Sequence, residues 1–536
     1  MQPGRVLLAV CSSIVFIGIN TTAMNTVVGD IAGDFDMSAS TVAWAISGYM
    51  LAAAAVVAPA GQFGDVFGRK RMLFIGLALF AISSVVIAAS SGALMLILGR
   101  GLQGGASAML LPSQLAIIRL VYPPERQGFA VGMWAATAAA MFAFGPLYGG
   151  AFADAIDWRA MFWFDLVLVG ISALLAFRYI RPVPEQVSGK RPDWIGAVLL
   201  AVTIFAFVLA VQQGETWGWT SAGVLGAFAV SVVLGIAFWI VEHRERDPLV
   251  HFYLLRNKPY LAGVLTTAAQ GWGLIGFLYF VAIYSESFVI YDETPLGGGV
   301  VLLPGGIAMF LCALVAGPVA DRIGYRIPNT LAMALISIGA FVLMIVGPDT
   351  SVWVLAFLVP VTAAGVGIGF STTSAAGMAA VDPEVSGEAA GIINVARYLG
   401  AVFVVALGTI VMLQVSTNAL ESSLTDRGIS STEIVDLDHA LSQTSADLER
   451  ALDEIPADQR AAVRADVADA TSDGFRGAQL MIGIVMAGAT VASFVLLRGE
   501  RARAPKSNPA HHRGFIAHAI RRAPDAAEVP TPAGGT

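Results

Sequence analysis

Residues 61–72 read GQFGDVFGRKRM and place one aspartate and three basic residues between two long apolar stretches. A related stretch, GPVADRIGYRIP, occupies residues 317–328 and is also flanked by apolar sequence. In both stretches a glycine precedes the aspartate by four positions and a second glycine follows it by three. Such a pair predicts a chain built from two related halves, an arrangement that is common among membrane transporters.

The composition around these hinges is that of an integral membrane protein. Of the 536 residues 57% are hydrophobic and only 13% are charged. Fourteen apolar stretches are each long enough to cross a bilayer as a helix of about 20 residues, the first near residues 6–28 and the last near 477–498. The first stretch is too long for the apolar part of a secretion signal, so we expect an uncleaved helix. The prediction is an all-α membrane fold.

Basic residues in the loops predict the orientation of the chain. Loops after the first, third, seventh, ninth and eleventh spans have no lysine or arginine, and the connection at 381–388 also lacks them. Because cytoplasmic loops are enriched in basic residues, we expect both termini and both hinges on the cytoplasmic side. The basic residues after even-numbered spans are Arg69, Lys70, Arg71, Arg119, Arg126, Arg181, Lys190, Arg191, Arg244, Arg246, Arg256, Lys258, Arg322 and Arg326.

Two segments are hydrophilic. Residues 416–476 are rich in acids and would lie outside, where we expect two short amphipathic helices separated at Pro456; they form either a solvated cap or a site for a partner. The tail at 499–536 is rich in arginine and proline, which predicts a disordered segment near anionic lipid. Nothing in the sequence predicts nucleic-acid binding, a metal or a cofactor, and we expect a monomer. Cys11 and Cys312 lie in apolar stretches.

The two hinges have the chemistry of a gate on the cytoplasmic side. Glycines permit tight turns, and an aspartate can pair with arginines or cap a helix, so that a closure can break and form again. The candidate gate residues are Gly61, Asp65, Gly68, Arg69 and Arg71 in the first hinge and Gly317, Asp321, Gly324 and Arg326 in the second.

Several motifs together resemble the fourteen-span drug:proton antiporter branch of the major facilitator superfamily. They are the first hinge, GRGLQGGASAMLLP in the fourth span, GPLYGG in the fifth, WRAMFWF in the sixth and GIINVARYLGAVFVVALGT in the thirteenth. The resemblance implies a six-helix bundle at 1–180, two inserted helices within 181–258, a second six-helix bundle at 259–498 and the tail at 499–536. It also implies alternating access to a central cavity in a bacterial plasma membrane.

Ionisable groups inside spans are the candidates for proton coupling. Arg100 should face the interior of its bundle, because lipid exposure would cost about 2.5–3.5 kcal/mol, and the resemblance associates it with proton coupling. Where such proteins usually carry an aspartate in the first span, this chain has Asn20, which cannot titrate. Asp165 stands where they usually have asparagine. We therefore expect proton coupling at Asp165, with Glu286 as a second candidate; the alternative for Asp165 is an acid held by Arg159 or water near the outer surface.

The remaining candidates concern the cavity and its seal. The resemblance implies that the fifth-span motif, Gly145, Pro146, Gly149 and Gly150, seals the boundary between the bundles. Large apolar and aromatic side chains suit amphipathic molecules of varied shape. The candidates for the cavity wall are Asn20, Met24, Trp44, Tyr49, Trp134, Met141, Trp272 and Tyr279.

The sequence favours a secondary exporter of hydrophobic or amphipathic small molecules, driven by proton influx and surrounded by membrane lipid. A dedicated exporter of an endogenous lipid, siderophore or other metabolite fits the same architecture. A membrane-embedded enzyme is disfavoured because the loops contain no DxD, HExxH or Gly-x-Ser-x-Gly motif. A nucleotide-driven pump is disfavoured because the chain has no phosphate-binding Gly-x4-Gly-Lys motif. A ligand sensor on a transporter scaffold remains an alternative.

Overall fold

The computed structural model describes residues 2–37, 39–181, 192–245, 248–250, 252–287, 290–291, 295–381, 386–427, 429, 437, 451–452, 455 and 459–498. Fourteen α-helices in these residues are long and apolar enough to span a membrane, which confirms the predicted fold class. They are α1 Pro3–Phe35, α2 Ala39–Phe67, α3 Arg69–Ala88, α4 Ala93–Val121, α5 Pro124–Ala155, α6 Trp158–Tyr179, α7 Trp194–Trp217, α8 Ala222–Glu242, α9 Lys258–Glu286, α10 Pro295–Ile323, α11 Arg326–Leu343, α12 Val352–Met378, α13 Ser386–Asp426 and α14 Arg460–Leu496.

The helices form two bundles with a shared boundary. Helices α1 to α6 pack on one another, as do α9 to α14, and we call these groups the N-bundle and the C-bundle. The boundary is formed chiefly where α5 meets α10 and α2 meets α13. We call the side of the molecule that carries residues 61–72 and 317–328 the hinge side, and the opposite side the far side. This topology places the two hinges at equivalent positions in the two bundles.

Glycines allow the helices to approach closely. A Cβ atom on Gly104 of α4 would lie 1.9 Å from the carbonyl oxygen of Tyr49 in α2. In the C-bundle, a Cβ atom on Gly271 of α9 would lie 2.1 Å from the carbonyl oxygen of Arg397 in α13. Small residues at helix contacts are typical of membrane bundles, in which packing rather than hydrophobic burial drives association.

The inserted helices α7 and α8 pack against each other, and α7 also contacts both bundles. Phe63 of α2 lies 4.6 Å from Trp194, and Phe403 of α13 lies 5.4 Å from Phe207 (ring centroids). The backbone N–H of Asp193, which precedes α7, donates to Gln62 Oε1 at 2.9 Å. The start of α7 is therefore attached directly to the first hinge.

The last two helices extend beyond their apolar parts on the far side. A cluster including Leu420 and Leu424 of α13 and Val463 and Val467 of α14 packs the extensions together, and Arg427 pairs with Asp466. The prediction of a separate short helix after Pro456 was wrong, because the chain from Arg460 continues without interruption into the last span. Its partner before Pro456 falls mostly outside the described residues, as does the tail at 499–536.

Candidate functional site

Asp165 lies in a buried polar network inside the N-bundle. Its side chain is fully buried, seven residues into α6. Asn20 Nδ2 of α1 donates to Asp165 Oδ1 at 2.9 Å, and Ser84 Oγ of α3 donates to Oδ2 at 3.4 Å. Within the described part of the chain this carboxyl group has no ion pair, so its hydrogen-bond partners are neutral. Asn20, at the position where the resemblance implies an aspartate, is thus in direct contact with Asp165.

Arg100 of α4 is also enclosed, as predicted for an arginine that avoids lipid, with 1% of its surface exposed. Its Nη1 atom donates to Gln103 Oε1 at 2.6 Å and to the carbonyl oxygen of Asn20 at 3.3 Å. Its Nε atom donates to the carbonyl oxygen of Ala45 at 3.2 Å, and its guanidinium lies 4.6 Å from the ring centre of Tyr49. The guanidinium therefore connects α1, α2 and α4.

Gln103 links Arg100 to the surroundings of Asp165. Its Nε2 atom donates to Ser84 Oγ at 3.3 Å and to Asn20 Oδ1 at 3.4 Å. The chain of contacts from Asp165 through Ser84 and Gln103 to Arg100 involves three helices, α6, α3 and α4. Ser84 and Gln103 were not among the predicted site residues. Gln103 belongs to the fourth-span motif, but no sequence signal places Ser84 beside an acid.

The alternative partner proposed for Asp165 is engaged elsewhere. Arg159 Nη1, on the far side, donates to Asp34 Oδ2 at 2.6 Å and also lies 3.6 Å from Asp157. Glu286 is the last residue of α9, but its side chain is outside the described residues, as is that of Asp65.

The predicted cavity residues fall into two groups. Asn20, Met24, Tyr49 and Trp134 are buried in the N-bundle, where Trp134 Nε1 donates to Gln114 Oε1 at 2.8 Å. The half-buried group is Trp44, Met141, Trp272 and Tyr279. A contact across the boundary joins Phe142 of α5 and Phe370 of α12, whose ring centres are 5.4 Å apart. Aromatic groups therefore meet where the two bundles face each other.

The first hinge is a tight turn in which Arg69, at the start of α3, folds back onto the end of α2. Gly68 has a φ of +93°, a conformation that glycine adopts without strain. Arg69 is buried, and its Nη1 donates to the carbonyl oxygen of Gly61 at 2.9 Å. A Cβ atom on Gly64 would lie 2.4 Å from this Nη1, so the glycine makes room for the guanidinium. Arg71 is exposed.

The second hinge repeats the turn but not the arginine contact. Gly324 has a φ of +86°, and Gly317 is buried in α10. Asp321 is exposed and accepts a hydrogen bond from the Tyr325 hydroxyl at 3.3 Å. Arg326 stacks on Phe494 of α14, 4.1 Å from the ring centre. Tyr325 lies near Arg119 at the end of α4, so this hinge approaches the N-bundle.

The fifth-span motif lies between α1 and α10. Because Pro146 has no N–H, the carbonyl oxygen of Phe142 lacks its helical donor, and the Thr22 hydroxyl of α1 donates to it at 2.6 Å. A Cβ atom on Gly145 would lie 2.0 Å from Thr22 Oγ1. On the other face of α5, a Cβ atom on Gly299 of α10 would lie 2.7 Å from Leu147 Cα. Gly149 also packs on α1, and Gly150 is buried.

Comparisons with known proteins agree with this architecture. The sequence model of the Major Facilitator Superfamily matches residues 8–405. Multidrug resistance protein 3 of Bacillus subtilis is 29% identical over 410 residues, which are 76% of this chain and 78% of that protein. The multidrug efflux pump LfrA of Mycolicibacterium smegmatis is 31% identical over 407 residues, 74% of this chain and 78% of the pump.

A solved structure is similar in fold. It is a bacterial homologue of the human drug peptide transporters PepT1 and PepT2, superposed with a TM-score of 0.56 at 14% identity. The superposition covers 96% of this chain and 100% of that one. At this identity the likeness concerns the fold alone.

Proposed function

Because the chain belongs to the Major Facilitator Superfamily and its relatives include multidrug efflux pumps of bacterial plasma membranes, we propose that it exports amphipathic small molecules in exchange for protons. Export of this kind would proceed by alternating access, in which the two bundles expose a site between them first to one side and then to the other. The proton site is Asp165, and the cargo binds at the boundary between the bundles.

The observation that carries this proposal is the position of a single carboxyl group among neutral partners. Removing a carboxylate from water disfavours its charged form, so a buried acid takes up a proton more readily than an exposed one. Asp165 is fully buried and has no ion pair within the described residues. Loading and unloading of a proton at this position would change the charge inside the N-bundle by one unit.

The hydrogen bonds around Asp165 indicate how its protonation would affect contacts with other helices. An ionised carboxyl only accepts hydrogen bonds, whereas a protonated one also donates. The Asn20 amide nitrogen cannot accept, but the Ser84 hydroxyl can reverse its direction. Ser84 already accepts from Gln103, which holds Arg100. Protonation would therefore reorder contacts among α3, α4 and α6.

The two hinges contain the contacts that would break and form as the hinge side opens and closes. In the first hinge, Arg69 of α3 contacts Gly61 of α2, and in the second, Tyr325 lies near Arg119 of the N-bundle. Polar contacts of this kind have discrete partners, so they can be broken in one conformation and formed in another when the freed groups find new partners or water. The tight span-five contact with α10 would keep the far side sealed while the hinge side opens.

The proposal is tested in proteoliposomes that contain the full-length protein and trapped pyranine, a pH-sensitive dye. Ethidium, Nile red and 8-anilinonaphthalene-1-sulfonate provide a cationic, a neutral and an anionic cargo. We expect an imposed pH gradient to drive at least one of them opposite to the proton flow, with a matching pyranine signal. If no cargo crosses under any gradient, multidrug export is contradicted and a dedicated metabolite cargo or a ligand sensor is favoured.

A further inference from the structure

Arg397, which lies within the motif GIINVARYLGAVFVVALGT, is a charged side chain near mid-membrane depth. It lies eleven residues into α13, about 16 Å from the start of that helix at about 1.5 Å per residue. Three charged side chains lie deep within the described spans, that is, more than five residues from either end of their helix: Arg100, Asp165 and Arg397. This count leaves out the hydrophilic extensions of α13 and α14.

The guanidinium of Arg397 is held in place by neutral groups. Its Nη2 atom donates to Ser374 Oγ of α12 at 2.5 Å, and Nη1 donates to Asn394 Oδ1 at 3.3 Å. Its carbon atom lies 4.9 Å from the ring centre of Phe370. Nε is buried and has no acceptor among the described residues, and no acid there pairs with the guanidinium. The charge is thus oriented but not neutralised.

This guanidinium faces the boundary between the bundles rather than lipid. Phe370, on which it stacks, meets Phe142 of the N-bundle. The next residue along α13, Tyr398, packs with a cluster formed by Ala53, Val57 and Ala108 of the N-bundle. The Arg397 side chain is partly exposed, unlike that of Arg100. It therefore lies where the proposed function places the cargo.

The partly exposed guanidinium of Arg397 has no counter-charge among the described residues, so it is open to one from a bound molecule. Burying an unpaired guanidinium is unfavourable, and a carboxylate can satisfy its fork of donors with two parallel hydrogen bonds. Arg100 does not compete, because its side chain is only 1% exposed and lies inside the N-bundle. Its Nε and Nη1 atoms already donate to Ala45, Gln103 and Asn20. The aromatic rings beside Arg397 suit a flat apolar body attached to such an acid.

We infer that Arg397 anchors an acidic oxygen group of the transported molecule, so that the preferred cargo is an aromatic amphiphile carrying one negative charge. This inference rests on the proposed export function and adds the charge of the cargo to it. It also identifies Arg397 as a residue that determines specificity.

The test compares two probes that differ only in charge, 9-anthracenepropionate and its neutral amide. Binding to the purified full-length protein in detergent at pH 7.5 is followed by energy transfer from tryptophan to anthracene. We expect the acid to bind more tightly than the amide, and Arg397→Gln to weaken acid binding by about ten- to hundredfold while leaving the amide unchanged. Arg397→Lys should bind the acid with an affinity between those of the wild type and Arg397→Gln, because lysine keeps the charge but lacks the planar fork of donors.

Arg476→Gln is the matched control, since Arg476 is a half-buried arginine of the C-bundle that contacts Asp473 and the carbonyl oxygens of Met344 and Val346 on the far side. It should bind both probes normally. Equal binding of acid and amide to the wild type, no saturable binding of either, or equal loss of both probes in Arg397→Gln would overturn the inference. Displacement of the acid by phosphatidylglycerol would overturn it as well, in favour of a lipid headgroup at Arg397. Binding as expected without transport of either probe would contradict the export function alone.

Discussion

Asn20 Nδ2 and Asp165 Oδ1 are joined by a hydrogen bond of 2.9 Å between α1 and α6. The resemblance implies an acid at residue 20 and an asparagine at residue 165; in this chain the two residue types stand the other way round and are in contact. The carboxyl group keeps its access to Ser84 and, through Gln103, to Arg100. A carboxyl group at residue 165 is therefore connected to Arg100 through side chains of α3 and α4.

Close packing of α2 and α4 should make Gly104 intolerant of even a methyl group. Its Cβ atom would overlap the carbonyl oxygen of Tyr49, which is rigid backbone. We expect Gly104→Ala to lower the free energy of unfolding by about 1–3 kcal/mol, measured as a lower thermal midpoint in detergent. Gly101→Ala on the same helix is the control, because nothing lies within 4 Å of its Cβ position. Equal stability of the two variants would contradict this packing.

The two hinges should respond alike to loss of their positive-φ glycines. An alanine at residue 68 or 324 would be strained by about 1–3 kcal/mol, whatever the space around it. We expect Gly68→Ala and Gly324→Ala to lower the thermal midpoint by similar amounts. Gly92→Ala provides the comparison, since Gly92 has an extended φ of 176° and open space at its Cβ position. A large effect at only one hinge would argue against equivalent turns.

The α5 and α10 contact should control leakage across the boundary. In Gly299→Ala the added carbon would collide with the backbone of Leu147 and separate the helices on the far side. We expect faster decay of a pH gradient in proteoliposomes without cargo than in the wild type. Gly226→Ala in α8, which has open space at its Cβ position, should leave the decay unchanged. An unaltered decay rate in Gly299→Ala would contradict the role of the α5 and α10 contact as a seal.

The far-side contact of Asp34 should stabilise the N-bundle in a pH-dependent way. Hydrogen bonds from Trp158 Nε1 and Arg159 hold the pKa of Asp34 below its ordinary value. Its contribution is therefore present above the unfolded pKa, near 4, and is lost as the pH falls through the folded value. Asp34→Asn should lower the thermal midpoint slightly at pH 7 and match the wild type at strongly acidic pH. A difference in thermal midpoint between Asp34→Asn and the wild type that persists at strongly acidic pH would exclude this origin.

The fold was predictable because its signals are local. Span length and apolar composition define each helix, and the repeated glycine and aspartate spacing at residues 61–72 and 317–328 marks two equivalent turns. The far-side extensions were less predictable. The helix from Arg460 alternates charged and small residues with apolar ones, so hydropathy alone does not join it to the last span.

The site was predictable only in part, because contacts between helices leave weak traces in one sequence. Arg100 and Asp165 were found as charges within apolar spans, and Arg397 satisfies the same rule and should have been selected with them. Ser84 could not be found this way, since serines are common in membrane helices. Met24 and Tyr49 are buried inside the N-bundle, whereas Trp272 is half-buried. This difference depends on how each helix is rotated about its axis, which composition does not determine.

The assignment of the proton site to Asp165 is tested most directly by the proton flux during cargo exchange, measured with trapped pyranine in proteoliposomes. The comparison is between Asp165→Asn and the double variant Asn20→Asp plus Asp165→Asn. The proton site requires one acid within this contact, on either helix. We predict loss of cargo-dependent proton flux in the single variant, with cargo binding retained, and recovery of flux in the double variant. Undiminished proton flux in Asp165→Asn would contradict the assignment.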